Sequence, residues 1–442
     1  MATERVGLLL WRYSLPAIVG MVVNALYNVV DRLYIGQGVG RDAIAGLTLT
    51  LPYMTLLAAF GMLIGMGSGA LVSISLGRGR HEDAEQVLGQ ALAMIGVMVL
   101  IVPTTAFLTL DRTLLFFGGT ESSIPYARSY LNVLLYGNVF THISFGMNHL
   151  MRSEGSANRA MKAMILGAVA NIILDPIFIF GFGLGIAGAA WATVLAMMLS
   201  SVYALRHFTG PHCTIRLRAK NIRIRPVLAS QALAIGLSPF CLQIVASMVM
   251  VVFTRTIRSH AASELEALNA TAAIGIVNGV AILMLMPLFG LCGGAQPIFG
   301  FNYGAERYGR VRETFWLTAK VATVACTAGA VIIQVFAPWI VRAFTHDATL
   351  VDLATPALRR MTLGFPMIGV PIMTTTYFQS VGKPRVSIFL SLLRQALLLI
   401  PLILLLPRVF GISGIWVAPP ISDLLTACVV WAIILREMRR LK

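Results

Sequence analysis

Apolar residues run along this chain in stretches of roughly twenty or more, each ended by charge, glycine or proline. Helices of that length cross the hydrocarbon of a bilayer. The alternation over about ten residues that marks a membrane-barrel strand is not the pattern here. About twelve spans are expected, near 10–36, 43–76, 87–110, 123–150, 160–181 and 185–207, and then near 227–255, 268–299, 314–341, 353–379, 385–407 and 411–436.

The second six spans repeat the first. Gly65-Met-Gly-Ser-Gly69-Ala70 matches Gly290-Leu-Cys-Gly-Gly294-Ala295, Ser153-Glu-Gly155 matches Ser380-Val-Gly382, and Gly185-Ile-Ala-Gly188 matches Gly411-Ile-Ser-Gly414. Pro16 pairs with Pro239 and Pro176 with Pro401, all at offsets of 223–227. Matches in order at nearly one offset mark an internal duplication. The longest polar segment, Arg206 to Arg225, contains Pro211 and precedes Pro226. It reads as a basic linker, 208–226, between a six-helix lobe 1–207 and a six-helix lobe 227–442. The predicted fold is therefore an all-α membrane protein of about twelve transmembrane helices in two pseudo-symmetric lobes. With six spans per repeat, both lobes keep one topology about an axis along the membrane normal, and transporters commonly hold their substrate between such halves.

Composition agrees: of 442 residues, 57% are hydrophobic and 12% charged, about half the charge of a soluble domain. The net charge of +16 would suggest nucleic acid on a soluble protein. Here the basic residues sit in short loops, so topology and anionic lipid explain them and no nucleic-acid partner is expected. One set of loops carries Arg78, Arg80, Arg152, Arg159, Lys162, Arg216, Arg218, Lys220, Arg307, Arg310, Arg312, Lys383 and Arg385, and the tail adds Arg436, Arg439 and Arg440. The opposite loops hold few, among them Arg112, Arg258, Arg342 and Arg408. The excess places the first set and both termini in the cytoplasm, as an even number of spans requires. Leu8 to Gly36 is too long for a signal-peptide core and reads as a retained first span. Cys213, Cys241, Cys292, Cys326 and Cys428 lack metal spacing. No Walker motif and no nucleophile–base pair within the spans argues for ATP drive or catalysis, so neither an enzyme nor a cofactor is expected.

Three of the acidic residues, Asp31, Asp175 and Asp423, fall inside apolar spans. A carboxylate there costs several kcal/mol unless it is paired or faces a cavity, which makes each a functional candidate. Asp31 aligns with Thr254 across the repeat and Asp175 with Ile400. Acids that served only the fold would recur in both halves, so the asymmetry points to a site in the first lobe. Asn24, Tyr27 and Asp31 share a helix face, and Asn171 lies one turn before Asp175. The Gly181-Phe-Gly183-Leu-Gly185 turn is short enough to bring Thr193 to Asp175. Carboxylate, amide and hydroxyl oxygens suit Na⁺, so Asp175, Asn171 and Thr193 are candidate ligands, and the carboxylates alone could carry H⁺. Asp423 is expected to form a structural ion pair with Arg394, with a role in coupling as the sharper alternative.

Four segments resemble the multidrug and toxic compound extrusion (MATE) family, in particular its MepA/DinF-type branch, in the MOP superfamily. They are Asn24-Ala-Leu-Tyr27-Asn28-Val-Val-Asp31, Arg152-Ser153-Glu154-Gly155, Asn171-Ile-Ile-Leu-Asp175-Pro176 and Gln379-Ser-Val-Gly382-Lys-Pro384-Arg385. The resemblance covers essentially the whole chain. It implies a monomeric antiporter in the inner or plasma membrane of a prokaryote, expelling small organic, often cationic, lipophilic compounds against inward H⁺ or Na⁺. Alternating access would be a rocking of one lobe against the other. The family's first-lobe polar cluster maps onto Asp31, Asn171, Asp175 and Thr193 for ion coupling. Asn24, Tyr27, Asp31, Tyr130 and Asn148 map onto substrate binding. The alternative is a flippase or exporter of lipid-linked oligosaccharide or another amphipathic anion, which would need cations in its cavity, with Arg32, Arg128, Arg255 and Arg394 as candidates.

In a cysteine-free background, Ala219→Cys in the basic linker is expected to resist an impermeant thiol reagent added outside intact cells, while Arg258→Cys reacts. The reverse pattern would overturn the orientation.

Overall fold

The computed structural model describes residues 3–116, 120–121, 123–211 and 213–441. These form helices joined by short turns, with no strand among the described residues. The first half comprises α1 (Val6–Gly38), α2 (Arg41–Gly77), α3 (His81–Phe116), α4 (Ile124–Tyr136), α5 (Asn138–Ser153), α6 (Ala157–Pro176) and α7 (Gly185–Thr209). The second half comprises α8 (Pro226–His260), α9 (Glu264–Gly304), α10 (Tyr308–Arg342), α11 (Ala348–Met361), α12 (Phe365–Ser380), α13 (Pro384–Leu392), α14 (Ile400–Leu405), α15 (Pro407–Phe410) and α16 (Ser413–Arg440). A π turn, Ile177–Gly181, extends α6, and another π segment, Leu393–Leu399, joins α13 to α14, so each run makes one crossing.

Ten crossings are single runs long and apolar enough to span a membrane. The other two correct the expectation of continuous helices near 123–150 and 353–379: each is a pair, α4 with α5 and α11 with α12. Gly137 marks the first break and 362–364 the second. Gly137 and Gly364 lie 227 positions apart, an offset the repeat already uses. Both breaks press against a neighbouring helix. A Cβ on Gly137 would come within 2.3 Å of Val194 in α7, and one on Gly364 within 2.4 Å of Asp423 in α16. Irregular backbone at membrane depth survives only where neighbours satisfy its polar groups. Ser201 Oγ donates to the Phe140 carbonyl at 2.6 Å, Thr362 Oγ1 to Leu358 at 2.7 Å, and Gln334 Nε2 to Arg359 at 2.7 Å.

Each half has its own apolar core. One gathers Ile64, Leu88, Met147 and Phe208, and another Phe253, Ile274, Ile333 and Trp416. The linker is strapped across the first half rather than looping free. Glu154 Oε2 accepts from the Thr214 and Ile215 amides at 3.1 and 3.3 Å, and Gln90 Oε1 from Arg225 at 3.2 Å. Glu85 accepts from the Arg216 amide at 3.2 Å and pairs with Arg218 Nε at 2.9 Å.

The halves meet where α1 packs on α9 and α2 on α8, contacts that exchange under the repeat. Small residues bring the backbones together. A Cβ on Gly236 would lie 1.8 Å from the Leu63 carbonyl oxygen, one on Gly67 2.0 Å from that of Ala232, and one on Gly77 2.1 Å from that of Phe301. Gly290 and Gly294 meet the α1 backbone at Ile18 and Ser14. All these contacts lie toward the end of the bundle that carries both termini, so the lobes are joined there.

Gly236→Ala is expected to wedge this seam apart, because backbone at Leu63 cannot yield as a side chain could. Hydrogen exchange of 63–77 and 294–304 should quicken by about tenfold or more, with membrane insertion unchanged. Wild-type protection in the variant would overturn the assignment of the seam.

Candidate functional site

The tight turn between α6 and α7 builds the site. Gly183 and Gly185 have φ of +65° and +57°, values that favour glycine, and Gly188 lets α7 lie against the Phe178 carbonyl. Held this close, the two helices share one amide: Asn171 Nδ2 donates to Asp175 Oδ1 at 3.2 Å and to Thr193 Oγ1 at 3.3 Å. The Tyr130 hydroxyl from α4 meets the Thr193 side chain. From α1, the Asp31 carboxyl lies within hydrogen-bonding range of the Asp175 carboxyl. Tyr27 contacts Asn28, whose Nδ2 donates to the Asn24 carbonyl at 2.7 Å.

Asp31 and Asp175 are 6% and 0% exposed, so water cannot serve them. Asp31 Oδ1, Asp175 Oδ2 and Asn171 Oδ1 are buried without a hydrogen-bond donor from the protein. Buried oxygens in that condition are costly, and a cation would offset that cost. Either a proton between the carboxyls or a small hard metal ion has the right chemistry.

The expected residues do not all converge. Asp31, Asn171, Asp175, Thr193, Tyr27 and Tyr130 come together. Asn24 contributes its carbonyl to the Asn28 contact. Asn148 lies elsewhere: its Nδ2 donates to the Ala160 carbonyl at 2.8 Å, and Ala160 is about 22 Å of helix from Asp175. It fastens α5 to the start of α6, a job any polar residue at a helix crossing can have, which is why its position in the sequence could not separate the two roles. Across the repeat, Thr254 donates to the Met250 carbonyl of its own helix at 3.0 Å, so the second lobe has no counterpart of Asp31.

Two residues in the quoted motifs gain roles only here. Asn28 links Tyr27 to the α1 backbone. Arg152 is buried, with Nη2 3.1 Å from His149 Nδ1 and Nη1 in the space that Gly293 of α9 leaves across the seam. Its place beside Ser153-Glu154-Gly155, at the end of a span, was the available signal.

The structure also joins Arg394 to Asp423, Nε to Oδ1 at 2.7 Å, with the aspartate buried and the arginine partly so. Arg394 comes from the π segment, and Ser422 Oγ donates to its carbonyl at 2.7 Å. The pair therefore holds α16 against the irregular part of the crossing before it and beside the break at Gly364.

Two repeated lobes of membrane-crossing helices, joined along a small-residue seam, with one buried acidic cluster in the first lobe, define a two-lobed membrane transporter. The chain belongs to the MatE family, whose model matches it twice, over residues 16–177 and 240–405, once in each half. Among curated relatives, the multidrug export protein MepA of Staphylococcus aureus (strain MRSA252) is 24% identical over 405 residues, covering 91% of this chain and 88% of that protein. MepA of Staphylococcus saprophyticus is likewise 24% identical over 406 residues, with the same coverage. Among solved structures, the MATE multidrug transporter DinF-BH in complex with a dye is 36% identical with a TM-score of 0.91, covering 99% of this chain and 97% of that one. A MATE protein in a bent conformation superposes with a TM-score of 0.92 at 24% identity, covering 99% and 96%, and so shares the fold.

Removing either charge of the Arg394–Asp423 pair strands the other. Arg394→Gln or Asp423→Asn is expected to cost on the order of 3 kcal/mol of stability, read as lower folded yield and a lower Tm in detergent. The double change Arg394→Met, Asp423→Leu should recover most of it. Single variants as stable as the parent would refute a structural pair.

Proposed function

We propose that this chain is a secondary active antiporter that exports organic, cationic compounds in exchange for an ion, by alternating access between its lobes from a membrane in which both termini are cytoplasmic. The observation that carries the reading is the buried Asp31–Asp175 pair with Asn171, Thr193, Tyr27 and Tyr130 around it. Antiport requires that ion and substrate compete for one set of groups or stabilise it differently. Two carboxyls within hydrogen-bonding range hold together through a proton. With the proton gone they carry two negative charges in a low-dielectric site, where an organic cation is the natural counter-charge. The names of the MepA relatives and the dye complex of DinF-BH support export of small organic molecules.

The geometry favours H⁺ over Na⁺. The Asn171 amide points its nitrogen, a donor, at Asp175 and Thr193. A sodium ion held by those three residues would require that amide to turn over and present its oxygen. The alternative cargo, a lipid-linked anion, finds little support. Arg394 is paired with Asp423, Arg128 pairs with Asp111 at 2.6 Å, and Arg32 and Arg255 are exposed.

The test is reconstitution in liposomes under separate H⁺ and Na⁺ gradients at matched protein levels. Asp175→Asn keeps shape but removes the charge, and is expected to insert normally and lose gradient-driven efflux by at least about tenfold, while retaining much of its substrate binding. Asp31→Asn should impair both coupling and cation binding. Full gradient-driven efflux by Asp175→Asn would refute the proposed coupling, and efflux driven by Na⁺ alone would refute the proton.

A further inference from the structure

At the end of the second lobe that carries the C-terminus, α9 and α16 finish where α10 and α13 begin. Between them is a cavity of about 310 Å³, lined by Tyr303, Tyr308, Lys383, Glu437, Arg440 and Leu441. The proposed transport cycle does not use it. The rings of Tyr303 and Tyr308 meet edge to face at 5.7 Å. Glu437 Oε1 is occupied by Lys383 Nζ at 2.5 Å and by the Tyr377 hydroxyl at 3.0 Å. That carboxylate is therefore neutralised, which leaves the lining with one net positive charge and with the Arg440 guanidinium and two phenol hydroxyls as further donors. Arg385, Arg436 and Arg439 follow closely in sequence and add to the local positive charge.

A second observation says what kind of anion fits. Trp316 of α10 and Trp431 of α16 stack at 5.9 Å with their planes 26° apart, and both are well exposed on the outside of the bundle. These are two of the helices that line the cavity, and the tryptophans lie about 12 Å along α10 from Tyr308 and about 9 Å along α16 from Glu437. Exposed tryptophans favour the boundary between headgroups and acyl chains. A soluble phosphate would need only the polar cavity. A phospholipid would need both, a donor-rich cavity for the phosphate and, one to two turns deeper, a flat apolar surface for the glycerol and first methylenes.

We propose that this cavity and the tryptophan pair together form a binding site for an anionic phospholipid. Its phosphate accepts hydrogen bonds from Arg440, Tyr303 and Tyr308, and its chains lie over Trp316 and Trp431. The positive lining disfavours headgroups that carry their own cation.

The full chain, purified in detergent, would be titrated with phosphatidylglycerol, phosphatidylcholine or inorganic phosphate, and bound lipid counted by native mass spectrometry alongside the Tm. Phosphatidylglycerol is expected to bind saturably and raise the Tm, with phosphatidylcholine at least about tenfold weaker and inorganic phosphate without effect. Arg440→Gln, Tyr308→Phe and Trp316→Ala should each weaken phosphatidylglycerol, the first by about fivefold. Arg439→Gln, on the same helix end but outside the lining, should change it by less than about twofold. Equal binding of phosphatidylcholine, equal stabilisation by inorganic phosphate, or equal losses in Arg439→Gln and Arg440→Gln would each overturn the site, the last by reducing it to general surface charge.

Discussion

In hydrocarbon an amide, a carbonyl or a carboxylate has no water to bond, so each must be answered from within the chain. Most of this structure follows from that demand. Helices answer it locally, which is why the apolar runs are helical. Where the helix fails between 362 and 364, Gln334 takes up the last-turn carbonyl of Arg359, and beside the break at Gly137 Ser201 fastens α7 to the Phe140 carbonyl. The same demand forces Asp423 onto Arg394. The acidic cluster in the first lobe gathers three buried oxygens without a donor, on Asp31, Asp175 and Asn171, around two carboxyls that have no arginine or lysine partner of the kind Asp423 has.

The lobes are bound by a different economy. Among the described residues, their seam near the termini has no ion pair in its closest contacts. It consists of glycines at backbone distance, Gly67 and Gly236 on one side and Gly290 and Gly294 on the other. Packing of that kind depends on shape and is lost abruptly as the surfaces separate. The Asp31–Asp175 cluster, by contrast, lies within one lobe, so under the proposed alternating access it would keep its geometry while a seam of this kind opened and reclosed. Arg152 is the instructive oddity in the seam: its guanidinium is buried with the His149 imidazole for company. The linker is tied to the first lobe through Glu154, Glu85 and Gln90, so under the proposed cycle the passage from Arg225 into Pro226 is where the chain would bend.

Asp31, Asp175 and Asp423 were legible as sites because an acid in an apolar span has few bland explanations. Helical spacing tied Asn171 to Asp175, and the glycine-rich turn tied Thr193 to both. Tyr130 and Asn148 were named on resemblance alone, and the structure brings only the first to the acids, since helix spacing within one element says nothing about which neighbour it faces. The breaks in the fourth and tenth crossings were hidden for a related reason. Gly137 and Gly364 look like any glycines in an apolar run until Val194 and Asp423 are found pressed against them.

The sequence by itself determined the all-helical membrane class, the duplication, the alternation of charge between loops and the identity of the buried acids. Each of these rests on transfer energies and on periodicities that are local to the chain. Only the tertiary structure decided which acids face each other, that Asn171 points a donor rather than an acceptor at its neighbours, where the glycine seam joins the lobes, and that a basic cavity lies above a tryptophan stack. Those are relations between residues far apart in sequence, set by how helices cross, and no local energy term encodes them.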